Sequence, residues 1–304
     1  MEAVVDVVVP TRDTREATLR CVASVVGSVE ARARCIVVDN ASSDETAEAI
    51  EARWPEITIV RSERNLGYGT ACNLGAARGR ADFILILNSD AIARPGAIAT
   101  LVDFLRTHPD HVVAAGRLVD AGTERTQVGF VVRRFPSLPG QIALMLGLER
   151  YWPTNPISRR ELMLDFDFSR TQDVDAQPAG ACLLCRRSAF EQVGGFDTEF
   201  FYWFEDVDLV RRLTARGRVA YVHDAVFDHV GGATFGQWPR AEIVVARYSG
   251  LLRYFGKHHP RHEVLVLRSV TATLAAVRAL LLMAFDARRA RAYAAVFRRS
   301  LRNR

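Results

Sequence analysis

Residues 83–90 read Phe83-Ile84-Leu85-Ile86-Leu87-Asn88-Ser89-Asp90. The five apolar residues read as a parallel strand buried on both faces, closed by a carboxamide and a carboxylate two positions apart. Open parallel sheets take their ligands beyond the carboxyl ends of their strands. Asp90, followed by the small Ala91, therefore stands where a divalent cation holding a diphosphate would be seated.

The same unit recurs upstream. Val4 to Val9 is an apolar run ending at Pro10-Thr11, and Arg15 to Val29 then shows helical spacing in Ala17, Cys21, Val25 and Val29. Cys35 to Val38 ends in Asp39-Asn40, and Ser42-Ser43-Asp44 supplies cap residues for a helix to about Arg53. Ile57 to Val60, a helix over Tyr68 to Arg78, the strand at Phe83 and a helix from Pro95 to His108 follow. Strand-helix alternation of this kind predicts an α/β fold with a Rossmann-like, mostly parallel sheet and helices on both faces. Beyond it, Val112 to Leu118 and Gln127 to Arg133 read as strands, and the proline-bearing stretch Phe135 to Asp175 as loops that shape a substrate site. Ala181 to Cys185 resumes strand character, Ser188 to Val193 reads as a short helix, and Asp206 to Arg216 as a charged helix stopped by Gly217. Val219 to His229 completes the core.

The chain has 304 residues, 49% hydrophobic and 25% charged, enough for one large core or a core with a smaller lobe. Its net charge of +5 is unevenly placed. Asp286 to Arg304 holds seven arginines and one aspartate, a charge of +6 that leaves −1 on everything before it. A nearly neutral body argues against nucleic acid as a partner and marks the terminal segment for an anionic one. The five cysteines are an odd number with no export signal before them, which predicts a reducing, cytoplasmic setting. Cys182 and Cys185 have no second pair for zinc and sit in a strand-like run. No glycine-rich fingerprint follows the first strand, so a nicotinamide or flavin cofactor is disfavoured.

Parallel strands bring their ends together. Thr11 and Asp13, Asp39 and Asn40, Asn65 and Gly67, and Asp90 thus share one sheet edge, although turn and cap chemistry accounts for any one of them alone. Taken together, Val-Val-Pro-Thr at 8–11, Val-Asp-Asn-Ala-Ser-Ser-Asp at 38–44, Asn-Leu-Gly-Tyr-Gly at 65–69 with Asn73, and Asn-Ser-Asp at 88–90 resemble the family 2 glycosyltransferases of GT-A fold. The resemblance continues through Gly194-Gly195-Phe196-Asp197, Glu205-Asp206-Val207-Asp208 and His229-Val230-Gly231-Gly232, and is nearest to rhamnosyltransferase-type members.

That resemblance implies an inverting transferase using a nucleotide-diphosphate sugar, with the cleft lined by Pro10, Thr11, Asp13, Asp39, Asn40, Asn65, Gly67, Asn73, Asn88, Ser89 and Asp90. Asp39 would bond the pyrimidine and the Pro10-Thr11 turn would contact base and ribose. Asp90 and His229 would hold Mg²⁺ or Mn²⁺ on the diphosphate. Asp206 would be the base facing the acceptor hydroxyl and Glu205 its acceptor-orienting neighbour. First-turn acids also complement a helix dipole, and Asp208 reads as structural through Arg211 or Arg212. Gly180, Ala181 and Trp203 are assigned to the acceptor or sugar side, with Trp238 as a further aromatic and the Phe residues at 200, 201 and 204 left to packing. Arg12 and Asp13 depart from the aromatic residue and asparagine common in the family, and Asn88 removes one anionic ligand. A UDP-hexose donor, a noncatalytic nucleotide-sugar-binding module and a basic nucleic-acid binder are the alternatives to a thymidine-diphosphate rhamnose donor.

Divided by function, residues 1–118 form the nucleotide-sugar half, 119–256 the acceptor half and 257–304 a basic helical extension. In the latter, Arg268, Thr271 and Arg278 fall on one side of a helix over Val264 to Phe285, opposite Val266, Val270, Leu274, Val277 and Leu281. Such a helix lies along a surface. The arginines after it, interleaved with Tyr293, Val296, Phe297 and Leu301, read either as an interfacial helix on an anionic membrane or as a helix packed on the domain with a solvated basic end. The first reading places the protein at the inner face of the cell membrane, where a glycan or lipid-linked acceptor would be met.

Overall fold

The computed structural model describes residues 4–231 and 239–302, so Gly232 and Trp238 lie outside the described residues. In chain order the elements are β1 (Val5–Thr11), α1 (Arg15–Gly27), β2 (Ala33–Asn40), α2 (Thr46–Arg53), β3 (Thr58–Ser62), α3 (Tyr68–Ala76), β4 (Phe83–Leu87), β5 (Ala91–Ala93), α4 (Ala97–Thr107) and β6 (His111–Asp120). There follow β7 (Val132–Arg133), α5 (Leu138–Leu146), α6 (Leu148–Tyr151), α7 (Pro156–Glu161), β8 (Gln172–Asp173), β9 (Gln177–Pro178), β10 (Cys182–Arg186), α8 (Arg187–Gln192), α9 (Glu205–Leu213) and β11 (Arg218–His229). Three helices close the chain, α10 (Arg240–His258), α11 (Arg261–Leu282) and α12 (Ala287–Leu301).

The sheet runs β3-β2-β1-β4-β10-β6-β11-β5, with β8 against β11. β1, β2, β3 and β4 are mutually parallel, and β10 inserts antiparallel between β4 and β6. Every residue of β1 and β4 is buried, as expected for strands covered by helices on both faces. Cys182 and Cys185 lie in β10, and all five cysteines are buried free thiols.

Several expectations are corrected. Only Val132 and Arg133 of the stretch Gln127 to Arg133 form strand, because Gly129 at φ +77° turns the chain first. The region Phe135 to Asp175 contains α5, α6 and α7 rather than loops alone. α9 ends at Leu213, and Gly217 is set by contact instead: a Cβ there would lie 2.7 Å from the Asp110 carbonyl. The divisions at 118/119 and 256/257 fall inside β6 and α10.

The largest correction concerns α11. Arg268, Thr271 and Arg278 point into the protein. Arg278 donates to Tyr248 Oη at 2.8 Å and to the Met145 carbonyl at the end of α5, and Arg268 donates to the Ser300 and Arg302 carbonyls at the end of α12. Guanidinium groups are favoured there because the last carbonyls of a helix lack intrahelical donors and carry the negative end of its dipole. Thr271 is fully buried on Met145. Val266, Val277 and Leu281 are consequently exposed, while Val270 and Leu274 pack inward. Tyr293 and Val296 of α12 are buried with Ala275 of α11 against Val244, Val245 and Tyr248 of α10, so the apolar side of α12 is packed on the domain.

α10, which the sequence reading missed, is riveted to the core by α9. Asp208, fully buried, accepts from Arg212 Nε at 2.8 Å, Lys257 Nζ at 2.7 Å and His258 Nε2 at 2.7 Å. Burial alone would raise its pKa, but the hydrogen bonds from His258 and Lys257 and the charge of Arg212 hold it at about 2.

Candidate active site

Antiparallel pairing of β5 with β11 sets His229 opposite Ala91, next to Asp90 in the chain. His229 Nε2 comes to 3.3 Å from Asp90 Oδ1, and both side chains are buried. On the other side of the ring, Nδ1 lies 2.9 Å from Gln127 Oε1. The Gln127 nitrogen is committed to two acceptors, the His229 carbonyl at 2.8 Å and Asp120 Oδ1 at 3.1 Å. Its oxygen must therefore accept from Nδ1–H, which in the neutral ring leaves Nε2 with a lone pair. Among the described residues Nε2 has no hydrogen-bond partner, and Phe130 stacks on the ring at 5.2 Å. A buried lone pair converging with a carboxylate oxygen fits a cation between them, with Gln127 fixing the tautomer from behind. Among the described residues no group of three or more His, Cys, Asp or Glu is placed to hold a metal ion. A cation at Asp90 and His229 would thus complete its shell with phosphate oxygens and water, the arrangement hard cations such as Mg²⁺ prefer.

The acid pair opens α9. Trp203 and Phe204 just before it both take left-handed backbone, φ +65° and +71°. Such conformations cost aromatic residues about 1–3 kcal/mol each and persist only where the surroundings enforce them. Here Gly250 of α10 permits the approach, since a Cβ there would lie 2.4 Å from the Trp203 carbonyl. The strained turn aims the first residues of α9 into the cleft. Asp206 Oδ2 accepts from the Gly180 amide at 2.9 Å and Oδ1 from the Val207 amide at 2.8 Å. Gln177 Nε2 lies 3.4 Å from Oδ2, and Arg133 sits across the β7–β9 ribbon from Gln177. Glu205 is buried, and its Oε2 has no partner among the described residues.

Burial raises both carboxyls. For Glu205 the neighbouring Asp206 adds to burial and pushes it well above the usual range, whereas the Gly180 and Val207 amides and the Arg133 charge partly offset the rise at Asp206. Of the two, Glu205 is pushed the further above its ordinary range, so Asp206 gives up its proton first.

A hydrogen-bonded path joins the end of β4, two residues before Asp90, to Asp206. Tyr68 Oη lies 2.8 Å from Asn88 Oδ1 and 2.9 Å from the Gly180 carbonyl, its one proton serving either. The Asn88 amide donates to the Ala181 carbonyl at 3.0 Å, and the Gly180 amide holds Asp206. The β4 end and the start of α9 are therefore neighbours, bridged by Tyr68 and Gly180.

The remaining predicted residues divide by what holds them. Asn40 Nδ2 donates to Asn65 Oδ1 at 3.0 Å and its Oδ1 accepts from the Leu66 amide at 2.8 Å, so the pair shapes the loop before α3. Asp39 Oδ1 accepts from the Ser42 amide, and Asp13, at φ +51°, accepts from the Ser43 amide and hydroxyl, tying the loops after β1 and β2 together. Thr11 and Ser89 are joined through Thr14 in a buried hydroxyl cluster. Both polar atoms of Asn73 are spent on the Phe196 backbone, bracing α3 against the loop before α9. Phe201 is 46% exposed and lines a groove with Arg12, Asp13 and Asn65, so it is not a packing residue. Tyr68, Gln127, Gln177 and Arg133 carry the geometry without having been assigned. Tyr68 stood inside a quoted motif, but the other three lie in the irregular middle of the chain, where nothing in the sequence marks them.

Gly67, at φ +82°, lets Tyr68 N donate to the Phe201 carbonyl at 3.1 Å, and a Cβ on it would stand 2.3 Å from that oxygen. Gly67→Ala is expected to lower stability by roughly 1–3 kcal/mol in urea unfolding. An unchanged midpoint would mean the loop has room to yield.

The family model described as glycosyl transferase family 2 matches residues 6–194. The N-acetylglucosaminyl-diphospho-decaprenol L-rhamnosyltransferase of Mycobacterium tuberculosis is 33% identical over 79% of this chain and 80% of its own length. The rhamnosyltransferase WbbL of Escherichia coli is 29% identical over 46% of the chain and 49% of that protein. Among solved structures, the mannosyltransferase PcManGT from Pyrobaculum calidifontis, in complex with GDP-Man and Mn²⁺, covers 99% of this chain and 88% of its own at a TM-score of 0.57 and 17% identity. S. aureus TarS 1-349 covers 100% and 93% at a TM-score of 0.53 and 15% identity. The chain belongs to glycosyl transferase family 2 and is a glycosyltransferase with the GT-A fold.

Proposed function

We propose that this enzyme is an inverting, metal-dependent rhamnosyltransferase, moving a deoxyhexose from its thymidine diphosphate to a hydroxyl of a polyprenyl-diphosphate-linked glycan in cell-envelope polysaccharide synthesis. The observation that carries the chemistry is the path Asn88–Tyr68–Gly180–Asp206, which ties a carboxylate suited to an acceptor to the end of β4, two residues before Asp90 of the Asp90–His229 pair. Donor and acceptor classes are supported by the mycobacterial relative, matched over four fifths of its length.

In this reading Asp206 takes the proton of the acceptor hydroxyl as its oxygen bonds to the anomeric carbon, and the electron pair of the breaking bond leaves with the nucleoside diphosphate. Attack opposite the leaving group inverts the centre. Glu205 keeps its proton and can donate it in a hydrogen bond to the acceptor. Asp90 and His229 would hold Mg²⁺ or Mn²⁺, which when bound neutralises charge growing on the diphosphate. Asp39 with the Pro10–Thr11 turn takes the base and ribose, in a pocket whose walls Asp13, Asn40, Asn65 and Gly67 shape. Gly180, Ala181 and Trp203 border the sugar and acceptor.

Gln127→Leu frees the imidazole to change tautomer and orientation. The Mn²⁺ concentration giving half-maximal activity is expected to rise about 10–100-fold, the range seen when a metal ligand loses its outer partner. An unaltered titration would take His229 out of the cation site. The donor is tested by thermal stabilisation with Mn²⁺ across a panel of nucleotide sugars, where the thymidine-diphosphate deoxyhexose is expected to shift the midpoint most. Larger shifts from a UDP-hexose would replace it.

A further inference from the structure

The ionisable residues between Val264 and Phe285 are Arg268 and Arg278, and both are turned inward onto helix-end carbonyls. The outward side of α11 and the turn after it is thus uncharged for about 30 Å, twenty residues at the helical rise. It is mostly apolar, with Ser269 and Thr273 exposed among its side chains: Leu280 is 69% exposed, Leu281 68% and Phe285 89%, alongside exposed Leu265, Val277 and Met283. α11 is long and apolar enough to cross a membrane by length and composition. Crossing is blocked, because its other side is bonded through Arg268, Thr271 and Arg278 to α12 and α5. α12 runs back along α11 with Arg288, Arg291, Arg298 and Arg302 exposed and no acidic residue from Ala287 to Arg302. These charges lie within about one helix diameter of the apolar side, inside the distance over which salt leaves an anionic surface able to attract them.

We propose that the outward side of α11, with the turn to α12, is the surface by which the enzyme docks on an anionic lipid bilayer, α11 lying in the plane of the interface. Apolar side chains enter the acyl boundary while the arginines of α12 meet lipid phosphates. The role deepens the lipid-linked acceptor reading and rests on it for its purpose. It also reverses the earlier assignment of the membrane contact to the apolar side of α12, which α10 and α11 already cover. A second copy of the chain is the competing occupant, and the basic rim disfavours it, since two such faces would set like charges together.

The test is co-sedimentation of the full chain with phosphatidylcholine vesicles, with and without phosphatidylglycerol. Wild type is expected to bind the anionic vesicles and to be released by salt. Leu280→Glu with Leu281→Glu is expected to lower partitioning at least about tenfold, because two apolar side chains that would enter the acyl boundary are replaced by charged ones. Arg298→Glu, on α12 and away from the groove lined by Asp13 and Asn65, is expected to cut binding to anionic vesicles severalfold and to weaken its salt dependence. Both variants touch only exposed positions, so turnover of a water-soluble acceptor should match wild type. Unchanged partitioning in the leucine variant overturns the proposal, as does absence of vesicle binding with a wild-type dimer that the leucine variant dissociates. Vesicle binding lost in the variants, with no donor turned over by any of the proteins, would leave the docking surface standing and remove the transferase assignment of donor and acceptor.

Discussion

Asp206→Asn is expected to lower kcat/KM by about 10³–10⁴, at the upper end of what a positioned general base contributes, while the nucleotide sugar binds within about twofold of wild type. The amide keeps the size of the carboxylate but cannot take up a proton. It also disturbs its own seat, because Oδ2 now accepts from the Gly180 amide at 2.9 Å and a side-chain NH₂ there would meet N–H with N–H. Glu205→Gln separates the two acids. Burial and the neighbouring Asp206 push Glu205 toward its protonated form, which glutamine imitates, so a loss under about tenfold is expected. The pH dependence follows from the same asymmetry. The base acts as the carboxylate, and burial raises Asp206, so the acid limb of kcat/KM falls above the ordinary aspartate value of about 3.9, with activity lost as pH drops through it. A larger loss in Glu205→Gln than in Asp206→Asn would exchange the two roles.

How far the sequence could be read depended on whether the deciding contacts were local. β1 to β4 were legible because parallel strands buried on both faces are apolar throughout, and the polar residues after them could only gather at one edge. α11 shows the limit. Periodicity divides a helix into two sides without saying which is buried, and the two arginines that looked solvent-facing were drawn inward by carbonyls 32 and 133 residues away in the chain. Val128 and Phe130 alternate like a strand, yet Phe130 stacks on His229 and Gly129 breaks the pairing. Gln127 could not be found at all, since the histidine it orients is 102 residues distant. The site is thus built from legible strand ends and from a middle segment chosen by contact.

Asp90→Asn is expected to lower kcat/KM by about 10²–10³, the loss typical when one group stabilising transition-state charge is removed. Its signature should differ from that of Asp206→Asn. Asp90 and His229 Nε2 are two acceptors facing each other across 3.3 Å, and a carboxamide replaces the anionic member with a neutral group able to turn an N–H toward the lone pair. That hydrogen bond would satisfy the buried imidazole without any cation, so the variant should fold and melt close to wild type. What disappears is the dependence of nucleoside diphosphate binding on Mn²⁺. By calorimetry, wild type and Asp206→Asn should each bind thymidine diphosphate more tightly with Mn²⁺ than without, while Asp90→Asn shows one weak affinity under both conditions. Loss of the metal effect in Asp206→Asn as well would mean the two carboxylates share one task. Its survival in Asp90→Asn would place the cation elsewhere and leave the Asp90–His229 pair as a buried contact that only holds β5 to β11.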